Sequence, residues 1–474
     1  MDKMNSILYD MCRLRENYDS KCIMNKMESK IKFSFGYNEG RNRRELLAMF
    51  PKEIADVLAS DEDSYISSSY KSSILDDNPL TIDFLRSHRR KEFSGKFFLD
   101  LRGNEVEKNL NRRLNDSDLD FLFDFIEKRP TICGLHLPYN NITNHGFAKL
   151  SDFLAYQGTI KYVNIMNNEI TYLDQKKLGE AIGKWKVQCL NLRGNKIGRK
   201  GGETIAYLLT KNSTLKHVAL GETDQTVNSV ISIADALIQF GGNNTLTKLD
   251  LTKSLLTTNV GELCRHLACV LEVNRTIAEL VLSKNNISDL DLEILLEGFK
   301  HQHVLSRLNL SCNHISSHGA ELIANILPQA KLKLLVLATN IINDSGAMAL
   351  GRVFSFSKLT FLDVSMNHIS DLGMTHLVWA ICRPMDGFFI HGNKFTEYTA
   401  KVIHSQCIDL ALDPKTLDIR LWFDDTGSIH YTRRNLWRYS DWYYYVPEWK
   451  KNDTIQHCCC PFRGGIMVQL QSDD

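Results

Sequence analysis

From Leu99 onward, apolar and polar positions recur as apolar-x-x-apolar-x-apolar-x-x-Asn-x-apolar. The clearest copies are residues 305–315 (LSRLNLSCNHI), 332–342 (LKLLVLATNII) and 359–369 (LTFLDVSMNHI). Residues 187–197 (VQCLNLRGNKI) and 277–287 (IAELVLSKNNI) match equally well, and weaker copies end at Val106, Ile142, Ile170 and Phe395. The Asn position falls at Asn104, Asn140, Asn168, Asn195, Thr223, Ser254, Asn285, Asn313, Asn340, Asn367 and Asn393, eleven copies in register. The apolar-x-apolar core predicts a short strand with alternate side chains turned inward. Asn follows where the chain leaves the strand, and its amide can bond buried backbone groups there. After each strand, apolar residues at helical spacing predict an amphipathic helix: Leu322, Ile323, Ile326 and Leu327 behind Gly319, or Leu350, Val353 and Phe354 behind Gly346. A unit of strand, turn, helix and turn buries its apolar face only by stacking on its neighbours.

From Asn140 the steps are 28, 27, 28, 31, 31, 28, 27, 27 and 26 residues. This pattern resembles the leucine-rich repeat. Units of 27 to 28 residues with a full helix resemble its ribonuclease-inhibitor type, which implies an α/β solenoid, a horseshoe with an inner parallel sheet and outer helices. The Asn-x-Thr-Leu entry at Asn212, Asn243 and, in the variant Asn274-Arg275-Thr276-Ile277, Asn274 supports that reading. Thr223 and Ser254 break the Asn rule where the steps lengthen. They read as a tolerated irregularity or as a partner-specific bulge or bend.

The repeat divides the chain into an N-terminal arm (1–95), a solenoid (96–407) and an aromatic-rich tail (408–474). In the arm, residues 44–60 read as a short helical pair split at Pro51, and residues 64–73 as a loop; the arm is expected to cap the first repeat. Trp422, Trp437, Trp442, Trp449 and Tyr443-Tyr444-Tyr445 crowd the tail, which holds four of the six tryptophans. Such a tail either folds back as a cap or docks a partner.

Composition changes this picture little. The 474 residues carry 57 Lys+Arg against 56 Asp+Glu, which argues against a binder that relies on neutralising phosphates. The 12 cysteines show no disulfide spacing; Cys133, Cys189, Cys264, Cys269, Cys312 and Cys382 sit in apolar periodic segments, as small hydrophobes do. The N-terminus lacks the apolar stretch of a signal peptide, and no run of about 18 apolar residues occurs. Triplets such as Asn141-Ile142-Thr143 therefore read as chance or structural, and the expected setting is intracellular: cytoplasm or cilium, alternatively nucleus or nucleolus.

Catalytic chemistry finds no support. Residues 179–185 (GEAIGKW) lack the gap and hydroxyl of a phosphate loop. His314 and His318 have no accompanying Glu for a zinc motif, and the His457-Cys458-Cys459-Cys460 run does not suit a closed tetrahedral site. No enzyme, metal or cofactor is expected. The strand pattern instead predicts a binding surface, because the residues flanking each inward-pointing strand residue face the inner side. Tyr162, His217, Lys248, Asp250, Lys253, Glu279 and Arg307 make its middle mixed in charge. Leu334, Val336, Phe361, Asp363 and Phe389 make its C-terminal third largely apolar. That distribution fits other proteins as partners, with no small-molecule substrate, no direct nucleic-acid contact and no membrane. It also leaves open that the aromatic tail covers the apolar third.

The order of strong and degenerate repeats, Gly392-Asn393-Lys394-Phe395 in the last one and the Tyr/Trp-rich tail resemble a vertebrate branch of the ribonuclease-inhibitor-type leucine-rich repeat family, from Leu99 to about Tyr445. The resemblance implies a non-enzymatic protein. Relatives of this type occur as subunits of motile-cilium axonemes, including spoke and regulatory complexes, and as nucleolar or cytoplasmic factors of germ and stem cells. Two regulator readings stand beside it. A ribonuclease-inhibitor-like blocker would need an acidic inner face, and a GTPase activator would need a side chain such as Arg193 or Arg199 at a repeat loop.

Overall fold

The computed structural model describes residues 80–91, 95–238, 242–254, 259–409 and 412–434. The arm up to Pro79, the aromatic residues beyond Arg434 and the His457–Cys460 run lie outside the described residues. All described residues fall within one unit, Leu80–Asp474.

Twelve strands form one sheet in chain order. They are β1 (Arg89–Lys91), β2 (Phe97–Asp100), β3 (Ile132–His136), β4 (Tyr162–Asn164), β5 (Cys189–Asn191), β6 (His217–Ala219), β7 (Lys248–Asp250), β8 (Glu279–Val281), β9 (Arg307–Asn309), β10 (Leu334–Val336), β11 (Phe361–Asp363) and β12 (Gly387–Phe389). All neighbours from β2 to β12 are parallel, as crossovers through helices require. The central residue of each short strand, such as Val163, Leu190, Leu280 or Leu335, is buried in one continuous core with the helices. At about 1.5–3 kcal/mol per fully buried aliphatic side chain, this core is the main source of stability.

Between successive strands run α2 (Gly103–Leu110), α3 (Asp118–Glu127), α4 (Asn144–Tyr156), α5 (Gln175–Ile182), α6 (Gly198–Lys211), α7 (Val227–Ile238), α8 (Val260–Val273), α9 (Asp289–Glu297), α10 (Ser317–Ile326), α11 (Asp344–Phe354) and α12 (Asp371–Ala380). Before them stands α1 (Ile82–Ser87), and after β12 comes α13 (Glu397–Ile408). The polar residue directly after the repeat's last apolar position starts six of these helices. Thr143, Ser288, Ser316, Asn343 and Thr396 each accept a hydrogen bond from a first-turn N–H. Asp side chains then tie cap to cap. Asp116 accepts from Thr143, Asp289 from Ser316, Asp344 from Ser370 and Asp371 from Thr396 and Thr399.

The ladder of Asn residues is largely buried, is interrupted at Thr223 and Ser254, and starts at Asn140. Asn104 lies exposed on α2 instead, so the first sequence copy supplies a strand without a ladder member. Each ladder amide spans two repeats: Asn313 Nδ2 donates to Leu310 O of its own unit (2.8 Å) and to Leu282 O of the one before (3.1 Å). The residue just before each ladder position has positive φ, from Tyr139 (61°) through Gly194 (74°) and Met366 (56°) to Gly392 (79°). The chain must reverse there to aim the amide inward.

At Thr223 and Ser254 the shorter side chains reach only their own strand, donating to Leu220 O (2.6 Å) and Leu251 O (3.1 Å). The buried Gln225 makes up part of the loss, donating to Gly198 O and Thr223 O. A second ladder compensates at the opposite corner of the same units. Asn243 Nδ2 donates to Leu209 O and Asn212 O, Asn274 Nδ2 to Leu237 O and Asn243 O, and Gln302 Nε2 to Leu271 O. The Asn-x-Thr-Leu entry is thus a structural bracket.

Both ends of the sheet are closed. Leu80 and Leu85 bury against the first units, and β1 pairs antiparallel with β2, Arg90 opposite Phe98. The basic cluster Arg89-Arg90-Lys91 is therefore an edge strand, and its charges blunt that edge. At the other end the antiparallel hairpin β13 (Ile419–Phe423) and β14 (Ile429–Arg433) packs beside β12. Leu417 bridges Phe388, Asp418 accepts from the Ile390 and His391 N–H groups, and the Tyr431 hydroxyl donates to Phe395 O (2.9 Å). Among the described residues no helix is long and apolar enough to cross a membrane.

Candidate functional site

The first and last residues of each three-residue strand point away from the helices and build the inner face. The face divides into three zones along the sheet. At the N-terminal end, Phe98 lies over Gly134 on the neighbouring strand, where a Cβ would come within 2.3 Å of the ring. Tyr162 meets Phe98 from the far side, ring centroids 5.1 Å apart.

The middle zone, β5 to β9, carries two ion-pair clusters. In one, Lys248 Nζ stands 2.5 Å from Glu279 Oε1 and Arg307 Nη1 stands 3.3 Å from Glu279 Oε2. These pairings are set by register, because Lys248, Glu279 and Arg307 face each other on adjacent parallel strands. Burial pushes the Glu279 carboxyl up, but Lys248, Arg307 and His217 together hold it below its ordinary value. In the other cluster, Arg193 reaches Glu222 (3.3 Å) and Asp250 (3.7 Å), and Lys284 reaches Glu222 (3.9 Å). Burial again opposes ionisation of Glu222, and Arg193, Lys253 and Lys284 outweigh it. Lys253, in the turn after β7, is exposed with φ 52°. Arg307 is also exposed, while His217 is half-buried beside Cys189, Nδ1 to Sγ 3.2 Å.

The third zone is the apolar one, which the sequence left open as either exposed or covered. Leu334, Val336, Phe361 and Phe389 occupy the inner-face positions their spacing gives, yet they are buried. Phe361 lies over Gly387 as Phe98 lies over Gly134, and it meets Phe389 edge-on at 4.8 Å. Asp363 is buried with them: its Oδ1 accepts from Ser365 N (2.8 Å), and its Oδ2 has no hydrogen-bond partner among the described residues. Burial first, then the nearby Asp418, pushes the Asp363 carboxyl up to about 7.

Glu222 and Lys284 escaped sequence reading, and Arg193 was singled out only as a loop side chain for a GTPase activator, because all three sit in the turns rather than on the strands. Their signal is positional: Glu222 and Lys284 are the positive-φ residues directly before the ladder position. Among the cysteines, Cys133, Cys189 and Cys264 are buried as expected, and burial raises the Cys264 thiol to about 12. Cys269 and Cys382 are exposed instead.

The repeat is shared with known proteins. A family model described as Leucine Rich repeat matches residues 186–206, 301–324 and 357–378. The chain is 30% identical over 153 residues to NACHT, LRR and PYD domains-containing protein 13 of Homo sapiens, covering 32% of this chain and 14% of that protein. It is 24% identical over 191 residues to Protein CARMIL of Dictyostelium discoideum, covering 40% of this chain and 18% of that protein. The chain thus spans less than a fifth of either relative's length. With the alternation of strands and helices, these matches define a leucine-rich repeat protein built as an α/β solenoid.

Proposed function

We propose that this chain is a non-enzymatic protein–protein interaction scaffold that docks partners on the middle of its inner face. The two ion-pair clusters on β5 to β9 carry this reading. They place Lys248 and Arg307 on the sheet, each paired with Glu279, and Lys284 in the turn beside it, paired with Glu222. Preordered charges of both signs select a partner with the complementary pattern and steer its approach. The resemblance of the repeats and tail to vertebrate leucine-rich repeat-containing protein 34 supports a place in a cilium or flagellum axoneme, in a spoke or regulatory complex.

The test is affinity purification from ciliated cells or sperm with the full chain and with a Lys248→Glu, Arg307→Glu variant. The parent is expected to recover axonemal proteins and the variant to lose them at an unchanged melting temperature. Recovery of no axonemal protein by the parent would refute the ciliary assignment. Undiminished recovery by the variant would refute the docking face.

A further inference from the structure

Charge is distributed unequally between the two rims of the solenoid. Ten connections lead from a helix into the next strand, from α3 into β3 through α12 into β12. They hold twelve Lys or Arg against one Asp. The ten turns at the opposite rim, from β3 into α4 through β12 into α13, hold five bases and four acids. Part of the excess offsets the helices, whose C-termini all end at the basic rim and count for about half a negative charge each. Beside β2 to β6 the excess is larger than that. Lys96, Lys161, Lys184, Lys186 and Lys216 stand there, and the connections from α4, α5 and α6 contain no Asp or Glu. The last turns of these three helices add Glu180 and Lys211, which cancel. Five positive charges therefore face about one and a half negative ones from the helix ends.

The lysines form a row. Lys161 and Lys216 directly precede Tyr162 and His217, which hold the same register position on β4 and β6, and Lys186 comes shortly before Cys189 on β5 between them. Lys161 is half-buried, and its Nζ donates to Gly158 O (2.9 Å). Burial first, then Lys96 and Lys186, lowers the pKa of its ammonium, so the three charges lie close enough to repel. Lys96, Lys184, Lys186 and Lys216 are exposed. Among the described residues, Lys96, Lys186 and Lys216 have no carboxylate at ion-pair distance. Tyr156, 83% exposed, adds an apolar face to the row, with Lys184 Nζ 5.7 Å from its ring centroid.

We propose that this rim is a second docking surface, which takes an acidic segment of a partner protein in extended form. From β2 to β6 there are four strand spacings, about 19 Å, the length of about six extended residues. Lysines in single file match carboxylates carried on one peptide strand, and Tyr156 offers a seat for an apolar side chain among them. A duplex or a lipid headgroup layer spreads its phosphates widely and calls for a broad basic face instead of a row. The rim lies apart from the ion-pair clusters of the inner face, so its binding stands or falls independently of theirs.

The test is fluorescence anisotropy of the full chain with the labelled peptide Glu-Glu-Glu-Tyr-Glu-Glu-Glu. Binding is expected at 50 mM salt and is expected to weaken by about tenfold at 500 mM. Lys186→Glu combined with Lys216→Glu, both exposed, is expected to lower the affinity by about tenfold at an unchanged melting temperature. Lys248→Glu combined with Arg307→Glu makes the same change of charge on the inner face and is expected to alter it by less than about twofold. No binding at low salt, or an equal loss in the two variants, would overturn the proposal. Tighter binding of a DNA oligonucleotide of equal charge, or of phosphatidylserine vesicles, than of the peptide would do the same.

Discussion

At the scale of single residues, the ladder amide and the buried carboxylate set the stakes. Asn313 satisfies two carbonyls and accepts from the Asn285 and Ile287 N–H groups at 3.0 and 3.1 Å. Asn313→Ala orphans four buried backbone groups, and a loss of about 2–4 kcal/mol is expected in urea unfolding. Ser254 shows why the position tolerates some change, since its hydroxyl keeps one of those bonds and a second ladder holds the same units. Asp363 acts in the other direction. With its carboxyl raised to about 7, the folded chain holds the proton more tightly than the unfolded chain does. Its contribution is therefore fully present below about pH 4 and is lost as pH rises through about 7. Asp363→Asn is expected to stabilise the protein by about 1–3 kcal/mol at pH 8, with the gain vanishing towards pH 4. Melting curves of parent and variant across that range check it.

At the scale of elements, a strand of three residues has little pairing of its own and depends on what lies across it. The Phe361–Gly387 pair joins β11 to β12, and a Cβ on Gly387 would come within 2.2 Å of the ring. Gly387→Ala is expected to cost about 1–3 kcal/mol by overpacking. Adding Phe361→Ala should then cost less than it does alone, a coupling that a double-mutant cycle in urea reads directly. The helices were visible as apolar spacing, but their starts were not. Thr143, Ser316 and Thr396 look like ordinary polar residues until the strand before them is placed, and only then do their hydroxyls meet a first-turn N–H. Asn104 shows the converse, a sequence match at a ladder position whose chain goes straight into α2.

At the scale of the whole molecule, a net charge of +1 conceals a graded inner face: aromatic at one end, ion-paired in the middle, apolar and buried at the other. Partners that dock on the middle exchange solvated charges for paired ones. Their affinity is expected to fall by about tenfold between 50 and 500 mM salt, mostly through slower association. Surface plasmon resonance with an isolated partner checks both rates, and a salt-independent affinity would place the docking elsewhere.

The repeat period, the strand positions and the inner-face residues were legible in the sequence because they are local. A period of two across a strand and a fixed distance to an Asn follow from backbone geometry alone. The second ladder's role, the pairing of Arg193 with Glu222 and the burial of Leu334, Phe361 and Phe389 were not. Each depends on which residues a stack of repeats brings together from 25 to 30 positions apart or from beyond the array. Spacing can say which way a side chain points, but whether it meets water, a charge or another part of the chain is decided only when the units have stacked.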